Sequence, residues 1–309
     1  MNSRPEGISV VVPTARRPAA LRRCVEALQA SEPPGVAVEL IVIDDGSEPR
    51  VDADALPASP YPLQVHWQTN AGPAAARNHG ARRAGYRWLA FTDDDCRPTP
   101  DWLGRMVEAL RRQPEALVGG YTRNAVSGSL PTEASQMLTD FLYQRQARSG
   151  QTIAFFTSNN LAVGAEAFAA VGGFDAAYRR AAGEDRALGR SWRRSGRPIV
   201  YLPEAVVEHE HRMGLGRFWR QQSNYGRGAY TFHRSAAGSN ASAEEVESPT
   251  PRRFYLELLS YPLRTRRLPR SLPLAVLAGL SQVAVTAGYF AQRREDRRAK
   301  RVNDRGEST

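Results

Sequence analysis

A chain of 309 residues with 41% hydrophobic and 24% charged residues has the makeup of a soluble globular protein with one good core and an appendage to spare. The net charge of +10 invites an anionic partner, yet from Arg252 to the end 13 Arg/Lys stand against 5 Asp/Glu, so +8 of it lies in the last 58 residues. The nearly neutral body disfavours a nucleic-acid fold, and no nucleic-acid partner is expected. Cys24 and Cys96, without any CxxC, fit a reducing compartment and argue against a disulfide scaffold or structural zinc. No apolar signal sequence precedes the first strand, so the expected location is cytoplasmic.

Ile8 to Val12 is a β-branched run stopped by Pro13 and predicts a first strand, with Thr14 to Pro18 as the following loop. Leu21, Val25 and Leu28 recur at helical spacing within Ala19–Ala30, before Pro33-Pro34-Gly35. Val38 to Ile43 predicts a second strand and empties into Asp44-Asp45-Gly46-Ser47, and a weaker strand lies near Leu63–Trp67. Asn70-Ala71-Gly72-Pro73 opens a helix from Ala74 to about Ala84, and Trp88 to Phe91 is a further strand, which discharges into Asp93-Asp94-Asp95. A β-α-β-loop-β-α-β order implies a doubly wound, mostly parallel α/β sheet flanked by helices.

In such a sheet, ligands bind beyond the carboxyl ends of the strands. Pro13-Thr14, Asp44-Asp45 and Asp93–Asp95 all sit at such ends. Three neighbouring carboxylates there suit Mg²⁺ or Mn²⁺ held against a diphosphate; the plainer alternative is a turn capping the helix that starts near Asp101. There is no GxGxxG after the first strand and no GxxxxGK[ST], so neither a dinucleotide fold nor a P-loop is supported.

Taken in order, Val11-Val12-Pro13-Thr14, Val42-Ile43-Asp44-Asp45-Gly46-Ser47, Asn70-x-Gly72-x-x-x-Ala76-Arg77-Asn78-x-Gly80 and Phe91-Thr92-Asp93-Asp94-Asp95 resemble the motifs of family 2 glycosyltransferases, which have the GT-A fold. The resemblance continues through Ser158-Asn159-Asn160, Gly172-Gly173-Phe174-Asp175, Gly183-Glu184-Asp185 and His209-Glu210-His211, and spans roughly residues 7 to 232. It implies a metal-assisted enzyme of hexosyltransferase type that takes a nucleotide-diphospho-sugar, with a lean to UDP, and inverts the anomeric carbon.

By that resemblance Asp45 accepts from the N–H of the base, while Asp44 orients the loop. Pro13, Thr14 and Arg16 line the adjacent strand end; Arg16 faces a phosphate or ribose, or is a solvated surface cation. Arg77 contacts the nucleotide or pairs with nearby carboxylates. Asp95 is the metal ligand of a DxD-type element, Asp93 or Asp94 meets the ribose or sugar, and His209 is the second metal ligand, with His211 beside it. Asp185 is the general base and Glu184 steadies the acceptor or the loop, although carboxylates at a helix start are also ordinary caps. The Ser158–Asn160 and Gly172–Asp175 stretches flank the acceptor side.

The QxxRW element of processive synthases is missing near Gln221–Tyr225, which favours transfer of one sugar per encounter. The expected organisation is a catalytic domain over residues 1–232, a flexible linker over 233–251 and a basic helical tail over 252–309. Within the tail the 22 residues from Ser271 to Gln292 carry no charge. They can span a bilayer, lie on it with polybasic flanks, or pack on the domain. Membrane contact would place the protein at the inner face of the cell membrane, acting on a glycan or lipid-linked acceptor in envelope or polysaccharide synthesis. Rival readings are a sugar-phosphate nucleotidyltransferase, whose Gly-rich loop is absent from Pro13–Pro18, and a non-catalytic nucleotide- or polysaccharide-binding module.

Overall fold

The computed structural model describes residues 4–148, 155–180, 182–237 and 252–306. Two compact units divide the chain: Met1–Val126 with Gln146–His211, and Ser127–Arg145 with Arg212–Thr309.

The first unit is built on an eight-stranded sheet in the order β3-β2-β1-β4-β7-β6-β8-β5. β1 (Gly7–Thr14) is buried along its whole length because it lies between β2 (Ala37–Asp45) and β4 (Trp88–Phe91), which explains its unbroken β-branched run. β3 (Leu63–Gln68) joins β2 in parallel at the edge. α1 (Pro18–Gln29) turns Leu21, Cys24, Val25 and Leu28 into the core, and α2 (Pro73–Arg83) lies against β1 and β2, with Gly80 set against Val11 and Ile43. These elements agree with the parallel half read from the sequence.

The other half is mixed. β7 (Leu161–Gly164) runs antiparallel to both β4 and β6 (Leu117–Asn124), β8 (Ile199–His209) is parallel to β6, and β5 (Cys96–Pro98) is antiparallel to β8. β5 follows β4 after only Thr92–Asp95, so the acid turn leads from the parallel half directly to the outermost strand. α3 (Trp102–Arg112) follows β5, and its Trp102 Nε1 donates to Asn160 Oδ1 at 2.8 Å. Asn160 Nδ2 donates in turn to the carbonyls of Tyr121 and Ala205, both at 3.0 Å. Asn160 therefore ties β6 and β8 to the start of β7, which is a scaffold task.

In the second unit, α4 (Leu130–Arg148) and three later helices, α7 (Leu215–Ala237), α8 (Arg252–Thr265) and α9 (Ser271–Gly306), enclose a core of their own that includes Met137, Phe141, Phe218, Leu258 and Leu274. Residues 212–232 fall in the second unit, and α7 runs without a break through Ala237. The first five residues of the expected linker are thus helical, and the rest, 238–251, lie outside the described residues.

Candidate active site at the carboxyl edge of the parallel strands

Because β1, β2 and β4 are parallel, Thr14, Asp45 and the turn after Phe91 emerge on one edge of the sheet. The turn from Thr92 to Asp95 is closed by Cys96 N–H donating to the Asp93 carbonyl at 3.0 Å. Opposite it, the β5–β8 ladder pairs Cys96 with His209, and Glu210 N–H donates to the Asp95 carbonyl at 2.8 Å. That register carries two histidines from far along the chain to Asp95.

Asp95 Oδ1 lies 3.3 Å from His209 Nε2, and its Oδ2 lies 3.4 Å from His211 Nδ1. The two imidazoles stack with centroids 5.1 Å apart. His211 stands beyond the end of β8, and both rings reach the same carboxylate. One donor atom from each of Asp95, His209 and His211 lies within 4.8 Å of the others. A carboxylate with two imidazoles is a mixed oxygen and nitrogen donor set able to hold a divalent metal ion. Burial pushes the Asp95 carboxyl up, but hydrogen bonds and charge from the two histidines and Arg17 outweigh it and hold the group well below the usual range. His209 is raised in turn, since the Asp95 contact exceeds the opposing effect of burial.

Asp94 is fully buried and accepts from Thr14 Oγ1 at 2.6 Å. Arg17 bridges the turn: Nη1 donates to Asp95 Oδ2 at 2.6 Å, and Nη2 lies 2.6 Å from Asp94 Oδ1 as a charge contact outside hydrogen-bond alignment. Burial raises the Asp94 carboxyl to about 7 against the pull of Arg17 and Thr14.

Asp93 is held from the other side. Arg77, only 2% exposed, donates from Nη2 to Asp93 Oδ1 at 2.5 Å and from Nη1 to Glu184 Oε1 at 3.4 Å. Glu184 and Asp185 occupy the first turn of α6 (Glu184–Arg194), entered through Gly183 at φ 95°, a left-handed conformation that a side chain would strain. Glu184 Oε2 is buried without a hydrogen-bond partner, while Asp185 Oδ1 accepts from the N–H of Arg186 at 2.7 Å. Burial, with the adjacent Asp185 charge, raises Glu184 to about 7; Asp185 also rises, chiefly through burial. Arg77 pairs with carboxylates, the second of the two roles its sequence leaves open.

The edge thus gathers Thr14, Arg77, Asp93, Asp94, Asp95, Glu184, Asp185 and His209. Two expected members stand apart. Asp45 turns away from the acid turn: it accepts from Gln68 Nε2 at 2.7 Å and from the N–H groups of Ala71 and Gly72 at 2.8 and 2.9 Å. With three internal donors in place, Asp45 fixes the entry to α2. Asp44 does the same for its own loop, accepting from the N–H groups of Ser47 and Val51. Arg16 is exposed and takes part only through its backbone N–H, which donates to Ser47 Oγ at 2.8 Å. Its φ of 57° reverses the chain, and the neighbouring guanidinium, Arg17, meets the carboxylates instead. Pro13 is buried in the register of β1. Asn78 clamps Phe174, donating to its carbonyl at 2.7 Å and accepting from its N–H at 2.9 Å, a contact that holds the Gly172-Gly173 turn against α2.

A sheet of this topology, with acids at the parallel strand ends and two histidines brought to them at the end of β8, defines the GT-A architecture. The model of "Glycosyl transferase family 2" matches residues 9–179, more than half of the chain, and the chain belongs to that family. The pre-mycofactocin glycosyltransferase of Mycobacterium tuberculosis is 31% identical over 226 residues, covering 71% of this chain and 46% of that protein. The succinoglycan biosynthesis protein ExoO of Rhizobium meliloti is 40% identical over 92 residues, covering 28% of this chain and 24% of that protein. The chain therefore spans less than half the length of these curated relatives. Among solved structures, the mannosyltransferase PcManGT from Pyrobaculum calidifontis in complex with GDP-Man and Mn²⁺ superposes with a TM-score of 0.61 at 18% identity, covering 94% of this chain and 87% of that one. GalNAc-T7 with UDP, GalNAc and Mn²⁺ gives a TM-score of 0.55 at 14% identity, covering 90% and 55%. At those identities the likeness carries the fold alone.

Proposed function

We propose that this protein is an inverting glycosyltransferase that moves one hexosyl group from a nucleotide-diphospho-sugar, UDP-linked by preference, to an acceptor hydroxyl. The observation that carries this reading is the junction made by Arg77, which links the acid turn to the start of α6 and so sets a donor-binding edge beside a pair of carboxyls whose proton affinity is raised. Asp95 and His209, with His211, hold the divalent ion. Bound there, Mn²⁺ or Mg²⁺ contributes positive charge against the departing diphosphate. Asp93 and Asp94 meet the ribose or sugar, with Thr14 and Arg17 fixing Asp94. Asp45, which also holds the turn from which α2 and Arg77 start, accepts from the N–H of the base.

Asp185 is the general base. Burial raises its affinity for a proton, which suits a carboxylate that must take one from an attacking hydroxyl. A single base facing a single leaving group gives one displacement and hence inversion. Glu184, whose buried Oε2 has no internal partner, steadies the acceptor. The tail brings the enzyme to the cytoplasmic face of a membrane, which fits a lipid-linked acceptor or envelope glycan.

The test is a screen of nucleotide sugars with Mn²⁺, scored by the nucleotide released. Release of a nucleoside diphosphate supports the reading. Inorganic pyrophosphate would instead identify a nucleotidyltransferase, and binding without turnover of any donor would leave a binding module.

A further inference from the structure

The second unit presents an apolar outer surface of its own. α9 is two-faced: Leu274, Leu277, Ala278, Ser281 and Ala284 are buried, while Leu272, Val276, Val283 and Phe290 are exposed, Val276 to 70%. At 100° per residue these four lie within a narrow stripe. α8 adds Leu256, Leu259 and Leu263, exposed at i, i+3 and i+7, and Leu268, in the turn between the two helices, is 71% exposed. Exposed Arg264 in the last turn of α8, and Arg267 and Arg270 in the connection to α9, have no carboxylate partner among the described residues, and Arg293 and Arg294 are exposed beyond the far end of the stripe.

Leucines ringed by unpaired arginines match the chemistry of an anionic lipid surface: apolar side chains enter the acyl boundary and guanidinium groups meet phosphates. Length and hydropathy would equally allow Ser271–Arg298 to cross a bilayer. The packing speaks against crossing. The opposite side of α9 is pressed along α7, so closely that a Cβ on Gly226 would lie 1.9 Å from the Val285 carbonyl oxygen, and one on Gly288 1.9 Å from that of Ser223. Further along, Arg227 pairs with Glu295 at 2.8 Å and Arg234 pairs with Asp296. A spanning α9 would have to shed α7 or draw Arg217, Arg220 and Arg227 into hydrocarbon.

We propose that the α8–α9 outer face seats the protein in the plane of an anionic membrane as a peripheral, non-spanning surface. This rests on the membrane reading of the tail given above and specifies its mode. The experiment is flotation of the full chain with phosphatidylcholine vesicles, with and without phosphatidylglycerol, followed by carbonate extraction. The expected result is binding that needs phosphatidylglycerol, weakens with salt and is released by carbonate. Arg264→Gln/Arg267→Gln/Arg270→Gln should weaken binding about a hundredfold. Leu256→Glu/Leu263→Glu/Leu268→Glu should abolish it, with thermal unfolding and nucleotide-sugar hydrolysis in solution kept as parent. Resistance to carbonate would overturn the in-plane mode and leave membrane attachment standing. Failure to bind either vesicle would remove both. Self-association that the leucine variant dissolves, without lipid binding, would mean that a second copy covers this face.

Discussion

Arg17 places its guanidinium 2.6 Å from carboxylate oxygens of both Asp94 and Asp95, so a fixed cation of the chain shares the carboxylate that also faces His209 and His211. Like charges packed in one turn repel one another, and either Arg17 or a bound ion relieves that repulsion. Arg17→Ala should therefore tighten Mn²⁺ binding in the absence of nucleotide, by about tenfold for a half-exposed charge. Isothermal titration at low salt reads this directly. Weaker binding in the variant would mean that Arg17 instead aligns Asp95 for the ion.

The two histidines approach different oxygens of Asp95 at nearly equal distances, 3.3 and 3.4 Å. His209→Ala and His211→Ala should each reduce Mn²⁺ affinity at least about tenfold, given that even residues behind a ligand cost 10–100-fold. A variant of His211 that binds like the parent would confine the ion to Asp95 and His209.

Asp185→Asn removes the proposed base while keeping its shape and its contact with the Arg186 N–H. Turnover should fall by about 10²–10⁴, with nucleotide affinity held within about threefold of the parent. Retained turnover would pass the role to Glu184.

Glu184 offers a stability test that does not depend on turnover. Its carboxyl is raised from 4.5 to about 7 by burial and the Asp185 charge, so the folded protein holds this proton more tightly than the unfolded chain does. The stabilisation is therefore complete below pH 4.5 and is lost as pH rises through about 7. Urea unfolding of the parent should lose on the order of 3 kcal/mol from this group across that window, and Glu184→Gln should flatten the profile. An unchanged slope in the variant would assign the titration to Asp185 or Asp94.

The sequence made the parallel half legible because β1, β2 and β4 are buried strands with dense β-branched or aromatic runs, each ending in a polar group. It did not reveal the mixed half. β5 has three residues and β7 four, too short for any period to register, and the pairing of Cys96 with His209 is set by tertiary contact. Reading His209 and Asp95 together came from the ordered motifs rather than from spacing. Arg16 and Arg17 look alike as neighbouring cations; a single positive φ decides which one points inward. At Asp45 likewise, acidic character at a strand end does not disclose that the oxygens accept from the amides of the next turn. The uncharged stretch of the tail was visible in composition, but only the packing of Gly226 and Gly288 tells which side of α9 is covered.

The short passage from β4 to β5 has a mechanical result. Four residues anchor the acid turn to the middle of the sheet at one end and to its outermost strand at the other. An ion held by Asp95, His209 and His211 would brace β8 against β4 across the intervening β7 and β6, like a stay between two posts. Slowed amide exchange in Cys96–Pro98 and Val206–His209 on adding Mn²⁺ is the signature of such a brace, and occupancy of the centre would be felt at the rim.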